Sequence, residues 1–191
     1  MSFPNQLSLL RIILAPVFLF LFLSEDQLNK KISLIIFFIA VMTDWYDGWH
    51  ARKFGSVSKF GIFIDPLADK ILTSAAFVGF YVLGIMPLWM VIIIVVRDLV
   101  ITLMRSYQEM RGNTMKTSFI AKTKTFIQMS YIFIIVIMAC AVSFNIDESS
   151  KKMITDFLYS KVNYAIILFI TFITLLTGIT YFFEKNNPVK D

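Results

Sequence analysis

Long apolar runs broken by short polar stretches divide this chain into a series of expected helices. Residues 7–23 (LSLLRIILAPVFLFLFL) form the first run, interrupted only by Arg11 and Pro16, and 24–31 read as a polar loop. Pro4 suits a first helical turn, so the helix is expected to start within residues 2–5. A second run begins near Ile32, and its apolar part ends at Met42. That is short of the ~20 residues that cross a bilayer, so the helix is expected to continue through Thr43, Asp44 and Asp47 to about Lys53. A third run, 60–84, carries Asp65, Pro66 and Asp69 early, with a kink or local backbone accommodation expected at the proline. Residues 84–87 read as a tight turn. A fourth run, 88–110, contains Arg97, Asp98 and Arg105; a fifth, 119–142, opens with Lys122, Lys124 and Gln128; a sixth covers 162–183. Between the last two, residues 144–161 are polar and mixed in charge, a loop with room for a short surface helix.

Composition turns these runs into membrane spans. Hydrophobic residues make up 58% of the 191, and charged residues only 16%, against roughly 25% in soluble domains. The expectation is an all-α integral membrane protein with six transmembrane helices, built as one domain over residues 1–191. The first run lacks a basic leader and a cleavage site, so it reads as a span rather than a signal peptide. The single cysteine, Cys140, excludes an intrachain disulfide and reads as a small core or lipid-facing residue.

A net charge of +5 would suggest nucleic acid for a soluble protein; here it fits the basic excess of cytoplasmic loops. Six spans put both termini on one side. With them lie Arg52, Lys53, Lys59, Arg105, Arg111, Lys116, Lys122, Lys124, Lys185 and Lys190, against Lys30, Lys31, Lys151, Lys152 and Lys161 opposite. The termini side is therefore expected to face the cytoplasm.

That side also carries the densest chemistry. Asp44 and Asp47 are three apart, and Asp65 and Asp69 four apart, so on helices each pair presents two carboxylates in one direction. Arg52, Lys53, Gly55, Ser56 and Ser58 between them read as a helix-to-helix turn that brings the acidic faces together. Four carboxylates crowded at membrane depth must protonate or bind a cation. An all-oxygen set without a histidine or cysteine cluster favours one or two hard ions, Mg²⁺ or Mn²⁺, able to receive a phosphate or diphosphate. His50, between motif positions, reads as an interfacial residue. Arg11 reads either as a snorkelling anchor or as a contact to a lipid or substrate phosphate.

A second, basic group follows. Arg97 and Arg105 are eight apart and share a helix face, and Lys122 and Lys124 open the next span on the same side. Four cations near the bilayer edge make a pocket for a second phosphate, with Asp98 available as a local partner. The bland alternative is lipid anchoring at the membrane edge.

The spacing Asp44-x2-Asp47-Gly48-x2-Ala51-Arg52-x8-Gly61-x3-Asp65-x3-Asp69 resembles the signature of the CDP-alcohol phosphotransferases. The resemblance implies that the four aspartates bind metal and that Asp69 is also the general base. It places Asp44, Gly48, Ala51, Arg52 and Gly61 around the CDP moiety, and it implies a homodimer. Within the family the likeness is greatest to the bacterial branch that transfers a phosphatidyl group from CDP-diacylglycerol to sn-glycerol 3-phosphate. It extends to Pro4-Asn5-Gln6-Leu7 with Arg11, to Asp65-Pro66-Leu67-Ala68-Asp69-Lys70, to the Arg97/Arg105 helix and to Lys122-Thr123-Lys124-Thr125. Ile62, where many relatives have Lys, and Asp98, where Glu commonly follows the Arg, depart from that branch. They leave open a phosphatidylinositol-phosphate synthase or a cardiolipin synthase. A divalent-cation transporter would use the aspartates but leaves the glycines and the second basic group unexplained.

Overall fold

Each polar break in the hydropathy pattern coincides with a helix end. The computed structural model describes residues 3–54, 59–111 and 119–185, with the side chains of 6–44, 46, 61, 63–111 and 120–179. Its helices are α1 (Phe3–Phe22), α2 (Gln27–Phe54), α3 (Lys59–Val82), α4 (Leu88–Met110), α5 (Phe119–Ala141), α6 (Glu148–Leu158) and α7 (Lys161–Lys185). The described residues contain no strand.

The ends have local causes. α2 starts ahead of Ile32 because the Asp26 carboxylate accepts the Leu28 N–H at 3.2 Å, capping residues that hydropathy alone assigns to a loop. α3 runs through Pro66 without a break and stops at a left-handed glycine, Gly84, with φ +74°. There the Ile85 N–H donates to the Phe80 carbonyl at 2.8 Å and the Gly84 N–H to that of Tyr81 at 2.9 Å, a Schellman ending that a side chain at Gly84 would strain. α6 begins at Asp147, whose carboxylate accepts the Ser150 N–H at 2.9 Å. That bond holds the exposed carboxyl below its ordinary range.

α1 packs on α2 and α3, α3 on α4 and α5, and α7 on α4 and α5. The core between them is aromatic and aliphatic, with Phe18, Phe22, Phe77, Phe80, Ile94, Ile132 and Val136 all at most 2% exposed. Cys140 is buried there, 3.8 Å from the Ser33 hydroxyl, in keeping with a packing role. The end away from the acid motif is tied by polar contacts. Tyr159 donates to the Leu83 carbonyl at 2.9 Å, and Tyr131 to the Asn163 side chain at 3.0 Å.

The outer surface is oily: Phe20 is 77% exposed and Phe126 73%, with many aliphatic neighbours. Such a surface suits acyl chains and not water. Among the described residues, Ile120–Ala141 and Lys161–Ile179 are long and apolar enough to cross a membrane, and Gln6–Phe22 is a shorter apolar helix. The other long helices carry the charges of the two candidate sites, which lowers their hydropathy.

Candidate active site

The acid motif gathers where the start of α1, the end of α2 and the start of α3 share one end of the bundle. α2 carries Asp44, and α3 carries Asp65 and Asp69. The chief shared neighbour of α2 and α3 is α1. Asp44 lies within electrostatic range of both Asp69 and Asp65. The side chains of Asp47, Gly48, His50, Ala51 and Arg52 lie outside the described residues, as do residues 55–58 of the expected turn and the side chain of Ile62. Gly61 is described and buried.

Two α1 side chains grip the acids. Ser8 donates to Asp65, and Arg11 forms a charge-assisted hydrogen bond with Asp44. Arg11 is fully buried, while the Asp44 side chain keeps 48% of its surface open. Arg11 is thus not a snorkelling anchor: it is enclosed by protein as a counter-charge for the motif's first aspartate. Asp69, 25% exposed, has the Lys70 ammonium at 3.3 Å.

The donor set has the chemistry of a hard-ion site. It is anionic, all oxygen and partly open, and its helices bring Asp44 within electrostatic range of Asp65 and Asp69. Among the described residues no three acids are grouped tightly enough to hold an ion on their own; the fourth, Asp47, is outside that set.

The basic group divides. Asp98 on α4, 4% exposed, accepts from Lys124 of α5, 3% exposed, at 2.6 Å and from Gln128 at 2.9 Å. Arg97 donates to Asp98 at 3.0 Å and to the Thr177 hydroxyl of α7 at 2.8 Å. Lys70 also lies within electrostatic range of Asp98 and Lys124. Arg97 and Lys124 therefore meet on one carboxylate. Arg105 instead faces Glu109 one turn on, at 3.4 Å, and Lys122 is exposed. Gly178 leaves the space Arg97 occupies, because a Cβ there would lie 3.1 Å from Arg97 Cγ and 3.2 Å from its Nε. Gln128, Thr177 and Gly178 received no role from the sequence. Gln128 sits four after Lys124 on the same face, but nothing local marked Thr177 and Gly178, which come from a helix far along the chain.

Two acid-bearing helices therefore lie beside an interior cluster of cations around one carboxylate. The sequence profile of the CDP-alcohol phosphatidyltransferase family matches residues 1–174, and the chain belongs to that family. The family is generally dependent on divalent metal. Among its relatives, the "CDP-diacylglycerol--glycerol-3-phosphate 3-phosphatidyltransferase" of Bacillus subtilis is 35% identical over 140 residues, 67% of this chain and 72% of the relative. The Rickettsia typhi protein of the same name is 30% identical over 182 residues, 95% of each chain. A "Probable phosphatidylglycerophosphate synthase" of Mycobacterium tuberculosis is 36% identical over 130 residues, 66% of this chain and 62% of the relative.

Proposed function

We propose that this protein transfers the phosphatidyl group of CDP-diacylglycerol to sn-glycerol 3-phosphate, releasing CMP and forming phosphatidylglycerophosphate. The observation that carries the reading is the gathering of Asp44, Asp65 and Asp69 at one end of the bundle. The chain around them aligns over 95% of its length with a relative named for this reaction.

The acceptor hydroxyl attacks the phosphatidyl phosphorus, the bond from that phosphorus to the CMP oxygen breaks, and the hydroxyl proton passes to Asp69. Asp69 suits that task because it is partly open at the end of the bundle. Asp44, Asp47, Asp65 and Asp69 would hold two divalent ions, Mg²⁺ or Mn²⁺. When bound, such ions shield the diphosphate and stabilise the departing phosphate charge. Gly48, Ala51, Arg52 and Gly61, with Asp44, surround the CDP moiety. Arg97, Arg105, Lys122 and Lys124 draw the phosphate of the acceptor. In support, Arg97 and Lys124 set two positive charges against the single charge of Asp98.

In this reading α1–α5 and α7 all cross the bilayer as one domain and α6 lies at its surface. The six long helices have 20 to 28 residues, about 30–42 Å at 1.5 Å per residue, enough to cross ~30 Å of hydrocarbon. The basic excess beside the acid motif puts the site and both termini in the cytoplasm, where the nucleotide is. The protein is a homodimer.

The test is CMP release from purified protein given CDP-diacylglycerol, with glycerol 3-phosphate, inositol phosphate or no acceptor, with and without Mg²⁺ or Mn²⁺. Release that requires both the metal and glycerol 3-phosphate is expected. Preference for inositol phosphate assigns a different branch of the family, and metal flux without CMP release overturns the reading.

A further inference from the structure

Burying a guanidinium is costly unless a partner offsets it, and at membrane depth such a residue usually serves a site. Arg11 is wholly enclosed by protein and spends its charge on Asp44, the one described acid of the motif that is half open. One turn earlier, also fully buried, Ser8 holds Asp65. A single face of α1 thereby fastens one acid from α2 and one from α3. The pairing has an electrostatic consequence. Arg11 sets a positive charge directly against Asp44, and repulsion between Asp44 and its two described acidic neighbours is partly cancelled before any ion arrives.

We propose that Arg11 is a resident counter-cation that holds Asp44 in place in the metal-free enzyme and yields the carboxylate when a divalent ion enters. It is a positioning residue, and the inference rests on the reading of the aspartates as metal ligands. Ser8, uncharged, keeps Asp65 aligned without competing for the site by charge. The arrangement keeps the acids assembled between turnovers, and it sets how tightly metal binds.

A counter-cation of this kind makes a prediction that an ordinary buried ion pair does not. Removing its charge destabilises the empty protein yet tightens metal binding. Mn²⁺ is titrated into full-length protein in detergent without substrates, free Mn²⁺ is read by its paramagnetic resonance signal, and thermal unfolding is followed with and without Mn²⁺. Arg11→Gln is expected to bind Mn²⁺ roughly fivefold or more tighter than wild type, because a positive charge no longer opposes the ion. It is also expected to unfold earlier when metal-free and to recover most of that loss when Mn²⁺ is added. Arg11→Lys, with the charge kept on a single-point donor, falls between the two in affinity. Unchanged or weaker Mn²⁺ binding by Arg11→Gln, or a stability loss equal with and without metal, overturns the proposal. If Arg11→Gln does not fold even with Mn²⁺, Arg11→Lys decides: affinity above wild type supports the proposal, and affinity equal or lower overturns it. A wild-type protein that binds no Mn²⁺ overturns the metal reading itself, which is a separate failure from a wild type that binds and variants that do not differ.

Discussion

The protein has two polar clusters, and they are opposites in both charge and exposure. The first gathers acids at the end of α2 and the start of α3, with Asp44 48% and Asp69 25% exposed, the buried Arg11 against Asp44 and Lys70 beside Asp69. The second gathers cations from α4 and α5 around Asp98, with that carboxylate and Lys124 each under 5% exposed. One has surplus negative charge and an open face; the other has surplus positive charge and is nearly closed. Each contains a buried residue of opposite sign, Arg11 in the first and Asp98 in the second. That residue lets the surplus charges stand together in a low-dielectric interior. In the proposed reading the surplus is what remains for a ligand: cations and a nucleotide diphosphate at the first cluster, the acceptor phosphate at the second.

Substitutions can break this contrast in graded ways. The largest effect is expected at the open cluster. Asp69→Asn removes the proposed base, and CMP release should fall roughly a thousandfold while the protein remains folded. Near-normal release would move the base elsewhere. At the closed cluster the expected loss is in stability. Asp98→Ala strands Arg97 and Lys124 with no counter-charge, at a cost of about 3–5 kcal/mol in unfolding measurements. An unchanged melting profile would mean that the two cations find other partners. Arg105→Ala should raise the KM for glycerol 3-phosphate about tenfold, the scale of one lost charged hydrogen bond, while leaving the KM for the CDP-lipid nearly unchanged. Equal effects on both would place Arg105 outside the acceptor pocket. Gly178→Ala is the mildest, about 1 kcal/mol in thermal unfolding, because the new methyl must push aside the flexible Arg97 side chain. A loss no smaller than that of Asp98→Ala would show that the seat of Arg97 is far stiffer than its partners imply.

Much of this was readable along the chain because it depends on local order. Hydropathy placed every long helix, with α4 at residues 88–110 as expected and α5 and α7 within a few residues, since an apolar run bounded by polar turns has few other ways to satisfy its backbone in an oily environment. The surface helix expected within 144–161 is α6, set by the Asp147 cap. Where boundaries moved, as at Gln27, a side-chain cap recruited polar residues that hydropathy counts as loop. The aspartate pairs were legible because spacings of three and four stay on one helix face whatever the tertiary structure does.

Partnerships between distant residues were not legible. Nothing in the order of residues assigns Arg11 to Asp44, Ser8 to Asp65, or Arg97 to Thr177 and the space above Gly178. Each joins helices whose relative rotation depends on packing across the whole core. The sequence by itself therefore determined which helices form, which of their faces carry charge, and the family the spacing belongs to. Only the tertiary structure decided which charges neutralise one another and which are left over, because Coulomb interactions act through space, and distance in space is set by how the helices dock.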